Sequence, residues 1–139
     1  MAYLTFCKTC NEKRATKKKG LVSKPIISKH FNSRAQVDLI DMQSQPINDY
    51  KFIMTYQDHL TKFITLKPLN SKTAEEVAFN LLEIFTLVGA PIILQSDNGR
   101  EFVNSIITNL TAMWPEMKLV RGKPRHSQSQ GSIERANRD

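Results

Sequence analysis

A chain of 139 residues and 15.9 kDa with 40% hydrophobic residues suits one domain able to close a core. No apolar run approaches the length that spans a bilayer and no charged-then-apolar leader opens the chain, so a soluble protein without a targeting segment is expected. The net charge of +7 is unevenly placed: residues 1–34 hold nine Lys or Arg against Glu12 alone, or +8, and the remainder holds eleven basic against twelve acidic residues, or −1.

Residues 1–33 read as a basic leader with little periodicity, punctuated by Gly20 and Pro25. Such an arm attracts phosphate backbones through counterion release, without sequence preference, and charge alone equally fits a solvated tail. Both cysteines lie in "FCKTC", as Cys7 and Cys10. A lone CxxC fits a redox pair, half a metal site or two plain thiols. A closed zinc site needs two more ligands, and His30, His59 and His126 have no suitable spacing, so bound zinc is not expected.

From residue 34 the pattern is orderly. "RAQVDLIDM" (34–42) predicts a buried strand and "QSQPIND" a turn. "YKFIMTYQ" (50–57) and "TKFITLKPL" (61–69) predict an antiparallel hairpin closed at Asp58-His59-Leu60. Thr73 and Glu76 fit a capping box for a helix that carries Ala74, Val77, Ala78, Leu81, Leu82, Phe85 and Val88 inward and ends at Gly89 and Pro91. Ile92–Gln95 predicts a short strand parallel to the first. Residues 99–114 predict a second helix with Phe102, Ile106, Leu110 and Met113 on one face, and Trp114 is read as core. Residues 117–122 predict an edge strand, 123–130 a mobile basic loop, and "GSIERANRD" the start of a last helix. The order β-β-β-α-β-α-β-α predicts an α/β fold, a mixed sheet flanked by helices.

Three carboxylates stand apart from ordinary surface charge. Asp38 lies inside the first apolar strand, where a carboxylate is costly unless paired or metal-bound. Asp97 ends the fourth strand in "LQSDNGREF". Glu134 lies on the final helix, where Gln130, Glu134, Asn137 and Arg138 share a polar face. If strands one and four are adjacent and parallel, Asp38 and Asp97 come within reach of one ion, and a crossing helix adds Glu134. Hard oxygen ligands of this kind suit Mg²⁺ or Mn²⁺. Two such ions can clamp the attacking and leaving oxygens of an in-line phosphoryl transfer. Asp41 is the rival to Asp38; it points to the opposite face and borders a turn. Asp49 and Asp58 are read as turn residues.

These segments resemble the catalytic core of retroviral and gypsy-type integrases, the DDE members of the ribonuclease-H-like superfamily. "QVDLIDM", "YQDHLTKFITLKPL" with its Asp58 and Lys62, "TAEEVAFNLLEIF", "LQSDNGREF" and "HSQSQGSIERANR" match the family's blocks in order over residues 34–139. Thirty-six residues separate Asp97 from Glu134, close to the family's usual gap. The resemblance implies a ribonuclease-H-like mixed sheet, three antiparallel strands then two parallel, flanked by helices. It implies Asp38, Asp97 and Glu134 as catalytic metal ligands for Mg²⁺ or Mn²⁺, with Asn98 and Gly99 as the turn that presents Asp97. Lys123, Arg125, Gln130, Asn137 and Arg138 are expected to meet DNA, mostly at phosphates.

"FCKTCNEKR" resembles the closing half of the HHCC zinc domain that precedes such cores, which makes Cys7 and Cys10 its remnant. One departure is Ser127, where the family often has proline. The truncated final helix is expected to fray and weaken isolated activity. The chain also looks like the integrase cores captured from mobile elements by vertebrate cellular proteins, some linked to KRAB boxes. A homodimer, a nuclear location and protein partners through a larger host protein follow as expectations. The alternatives are a catalytically retired module that binds nucleic acid or protein, and a nuclease acting on RNA–DNA hybrids.

Overall fold

The computed structural model describes residues 29–122 and residue 137. The Cys7–Cys10 leader, the basic loop and most of the expected last helix lie outside them. β1 (Arg34–Asp41), β2 (Phe52–Asp58) and β3 (Ile64–Leu69) form an antiparallel meander, followed by α1 (Ala74–Val88), β4 (Ile93–Ser96), α2 (Ser105–Ala112) and β5 (Lys118–Arg121). β4 pairs in parallel with β1 on its other side, and β5 in parallel with β4, giving the order β3-β2-β1-β4-β5. This is the expected mixed sheet, three antiparallel strands then two parallel. Among the described residues no helix is long and apolar enough to cross a membrane.

Strand alternation gives the sheet two unlike faces. On one, Val37, Met54, Tyr56 and Leu94 are buried with Leu81, Ile84 and Phe85 of α1 and Ile107 of α2. Phe85 stacks edge-on to Tyr56 at 6.3 Å and to Trp114 at 5.2 Å, a geometry that satisfies the ring quadrupoles. Trp114 is therefore a partly buried flank of the core. On the other face the register aligns Gln36 with Gln57 and Gln95, and Asp38 with Thr55. Gln36, Thr55, Gln57 and Gln95 are buried there as well, so the second face is polar and covered.

Several local expectations are corrected. Thr73 is the N-cap of α1, yet its side chain makes no capping hydrogen bond. Glu76 instead reaches back to the Asn70 amide (2.7 Å), the Ser71 amide (2.9 Å) and the Ser71 hydroxyl (2.6 Å), which replaces the capping box. Burial acts to raise the Glu76 pKa, but these donors outweigh it and hold the carboxyl below its ordinary value. α2 begins six residues later than expected. Residues 100–103 form a turn in which Phe102 and Val103 donate to the Gly99 carbonyl. The helix starts where Asn104 accepts from the Ile107 amide at 2.9 Å. The later start turns Ile107 and Leu110 inward and leaves Met113 exposed, while Phe102 is buried from the turn. The β2–β3 hairpin connection also runs longer than three residues, with Lys62 in the left-handed region at φ 63°.

Residues 30–33, assigned by sequence to the leader, are tied into the fold. Asn32 adopts φ 60°, its amide donates to Asp58 (2.9 Å), and its side chain donates to the carbonyls of Val88 (3.3 Å) and Ala90 (3.2 Å). It thereby joins the start of β1, the hairpin and the end of α1. Gly89 closes that helix at φ 86°, and a Cβ there would also meet the Asn32 side chain at 3.2 Å.

Candidate active site

The parallel ladder between β1 and β4 ends at the pair Gln36 and Gln95. Two positions further along the chain in each case stand Asp38, still within β1, and Asp97, the first residue past β4. Both are half-buried. β1 continues past this point and pairs with β2 as far as Asp41, whereas β4 ends at Ser96. The β1–β4 ladder thus stops short of Asp38, at the carboxyl end of the parallel pair, the place where open α/β sheets bind ligands.

Neutral N–H groups are among the donors to each carboxylate. Asp38 accepts from the Leu39 amide through Oδ1 (2.9 Å) and from Asn137 Nδ2 through Oδ2 (3.2 Å). Asp97 accepts from the Gly99 amide through Oδ1 (2.8 Å), and the Ser96 hydroxyl donates to its carbonyl (3.0 Å). Gly99 has no left-handed φ, contrary to the expectation that it supplies backbone freedom; its missing side chain leaves room for Glu101, whose carboxyl would lie 2.6 Å from an added Cβ. Asn98 does more than shape the turn. Its side-chain amide donates to the Gly122 carbonyl, and the Gly122 amide donates to Ser96 at 2.8 Å, so the exit of β5 is fastened beside Asp97. An open cleft of about 650 Å³ adjoins, lined by Lys72, Ala74 and residues 98–101, with Lys72 and Arg100 as its cations.

No protein-family model matches the chain. It is 50% identical over 137 residues to human KRAB-A domain-containing protein 2, covering 99% of this chain and 28% of that protein. It is 32% identical over 110 residues to the retrovirus-related Pol polyprotein of transposon 412 from Drosophila melanogaster, covering 78% of this chain and 9% of that polyprotein. The chain thus spans less than a third of either relative. Among solved structures, the catalytic core domain of BIV integrase superposes with a TM-score of 0.62 at 27% identity, covering 78% of this chain and 66% of that one. The chain is similar in sequence and in fold to retroviral integrase catalytic cores. Its relatives are retroviral and transposon Pol polyproteins, and its mixed five-stranded sheet flanked by two helices matches the ribonuclease-H-like fold of an integrase core.

The chemistry of the donor set fits a hard divalent cation: two half-buried carboxylates near the carboxyl end of the β1–β4 pair, with N–H donors among their partners. Among the described residues no group of three His, Cys, Asp or Glu could hold a metal ion. They include two of the three expected ligands, Asp38 and Asp97; Glu134 lies outside them, as do Lys123, Arg125, Gln130 and Arg138. Asn137, expected at DNA, has its side chain on Asp38. Asp41 is exposed and accepts from the Gln43 amide at 2.9 Å, the turn role expected of it. Asp58 is buried at the far end of the sheet, where it accepts from Asn32, Thr61 and the Thr61 hydroxyl.

Sequence reading missed the polar stripe below the site. Arg34 donates to Gln95 Oε1 across the strands at 2.8 Å, in line with Gln36 and Asp38. The signal was present as a period of two: Arg34, Gln36 and Asp38 alternate with Ala35, Val37 and Leu39. It was masked because the strand is buried on both faces.

Proposed function

We propose that this integrase-type core is a polynucleotidyl transferase that cuts or joins DNA, with Asp38, Asp97 and Glu134 as ligands of Mg²⁺ or Mn²⁺. The observation that supports the reading is the parallel β1–β4 ladder, which ends at Gln36 and Gln95, two positions before Asp38 in β1 and Asp97 just past β4. Bound divalent ions supply Lewis-acid stabilisation of charge on the phosphodiester and on the attacking and leaving oxygens. The oxygen of water or of a 3′ hydroxyl attacks phosphorus in line, and the bond from phosphorus to the departing 3′ oxygen breaks. Asp38 and Asp97 hold their charge where the ions are needed; Lys72 and Arg100 line a cleft next to them that suits a phosphate. Lys123, Arg125, Gln130 and Arg138 complete the DNA-facing surface in this reading.

The test is Mg²⁺- or Mn²⁺-dependent nicking or disintegration of branched DNA, compared between the wild type and Asp97→Asn. Activity in the wild type that Asp97→Asn abolishes is expected; activity indifferent to that substitution removes the proposal.

A second reading is a domesticated module that has lost strand transfer and binds nucleic acid or a protein partner in the nucleus. The 50% identity to a human KRAB-A protein over nearly the whole chain favours it. DNA binding equal in wild type and Asp97→Asn, with no cleavage by either, would select it. Exposed Phe79 and Leu87 on the outer side of α1 support a homodimer in both readings, checked by sedimentation.

A further inference from the structure

The geometry points to the outer edge of β5 as a docking site for an extended acidic peptide, which adds to the sheet as a further strand. The inference is independent of the cation site. β5 ends the strand order β3-β2-β1-β4-β5, and among the described residues no strand pairs along its other side. The Lys118 amide donates to the Ile92 carbonyl at 2.7 Å and the Gly122 amide to the Ser96 carbonyl at 2.8 Å. A parallel ladder alternates, so Lys118, Val120 and Gly122 turn their amides and carbonyls towards β4, and Leu119 and Arg121 turn theirs away. Both ends of this edge are fixed. The Met117 amide donates to the Trp114 carbonyl at 2.9 Å before it, and the Asn98 side chain holds the Gly122 carbonyl after it. The strand is therefore presented already extended, which lowers the ordering cost of adding a partner.

The opposite edge is unsuited to such addition. The Asp58 amide donates to the Phe63 carbonyl at 3.0 Å, so by antiparallel alternation Ile64, Leu66 and Pro68 face outward from β3, and Pro68 has no N–H to offer. β5, "KLVR", contains no proline. Charge then selects the occupant. Lys118 and Arg121 are exposed, and neither forms an ion pair among the described residues; the nearest acid in sequence is Glu116. A second copy of β5 paired antiparallel would set these cations against each other, which destabilises a ladder. A DNA strand offers phosphate oxygens to the Leu119 and Arg121 amides, but its backbone has no donor for their carbonyls. An extended peptide supplies both kinds of group. Lys118 and Arg121 are three positions apart and so lie on opposite faces of the sheet. The peptide that fits carries two acidic residues at the same spacing, each opposite one cation, with β-branched residues between them.

The test is backbone amide hydrogen exchange of the isotope-labelled 139-residue chain, read by NMR. The probe is a short peptide of threonine and valine with two glutamates three positions apart. The controls are the same peptide with lysines in place of the glutamates, and a short DNA duplex. At saturation the glutamate peptide is expected to slow exchange at Leu119 and Arg121 by at least about 10-fold, and by more than at Lys118 and Val120, whose amides already bond to β4. The lysine peptide is expected to have no effect. The double variant Lys118→Glu with Arg121→Glu alters two exposed side chains, so it is expected to keep the wild-type Tm, lose the response to the glutamate peptide and gain one to the lysine peptide. If that variant fails to fold, the comparison of the two peptides on the wild type decides. Exchange at Leu119 and Arg121 that stays within twofold of the free chain overturns the proposal. So does equal protection by both peptides, or protection by the duplex in place of the glutamate peptide. Protection that grows with protein concentration alone also overturns it, and assigns the edge to a second copy.

Discussion

Asp58 provides a sharp test of the division between structural and ligating carboxylates. Its Oδ1 accepts from the Asn32 amide at 2.9 Å, and its Oδ2 from the Thr61 amide at 2.7 Å and the Thr61 hydroxyl at 2.8 Å. The side chain is 4% exposed, so these bonds are poorly replaced by water. In Asp58→Asn the carboxamide oxygen can still serve Asn32. The Thr61 hydroxyl can turn to accept from the new NH₂ group, but the Thr61 amide then faces a donor. One charge-assisted bond is lost and one N–H is left without an acceptor, which costs about 2 kcal/mol. The pH dependence follows from the direction of the shift. Burial acts to raise the Asp58 pKa, but the bonds from Thr61, Asn32 and Leu60 outweigh it and hold the group below its ordinary value. A depressed native pKa stabilises the fold above the unfolded value of about 3.9 and loses that contribution as pH falls through the native value. Urea denaturation of wild type and Asp58→Asn at pH 7 should therefore differ by about 2 kcal/mol, and the gap should close as pH falls through the lowered native pKa of Asp58. Mn²⁺ affinity should be the same in both proteins. A gap that persists unchanged at low pH, or a loss of Mn²⁺ binding, would refute the structural assignment.

Other substitutions address the core, the surface and the site. Leu81→Ala removes a fully buried side chain of α1 and should cost about 2–5 kcal/mol in chemical denaturation. Lys67→Ala breaks the ion pair with Glu83 at 2.8 Å, but both groups reach solvent, so a change below about 1 kcal/mol is expected in the same assay. Asn98→Ala releases the Gly122 carbonyl, and hydrogen exchange at Gly122 and at neighbouring β5 amides should accelerate while the amides of β1–β3 keep wild-type protection.

The elements legible in the sequence were those whose packing repeats locally. β1 to β3 show strand runs, and α1 has helical spacing with Gly89 and Pro91 behind it, so their order and bounds are close to those observed. The errors fall where one side chain redirects the backbone. Asn104 holds the carbonyls of Arg100 and Glu101 at 2.9 Å and caps Ile107, so four residues that read as helix become a turn and the inward face of α2 changes. Glu76 left the capping box for Asn70 and Ser71 because the chain before Thr73 folds back over the helix start. Asn32 was unreadable for another reason: its partners lie 26, 56 and 58 positions away, and no local pattern reports contacts at that range.

The same contrast explains why Asp38 could be singled out at all. A carboxylate inside a strand is usually a contradiction, since neighbours on both sides of the strand close it from water. β1 escapes the contradiction at one point. Its ladder to β2 runs through to Asp41, but β4 leaves it after Gln36, so Asp38 is a central-strand residue on one side and an edge residue on the other. That asymmetry requires a parallel partner shorter than the strand it pairs with: four residues in β4 against eight in β1. The short length of "ILQS" before Asp97-Asn98-Gly99 is therefore part of the site. Extending β4 by replacing the turn would carry the ladder past Asp38, so the turn after Ser96 positions both carboxylates: Asp97 by carrying it, and Asp38 by ending the strand that would otherwise pair beside it.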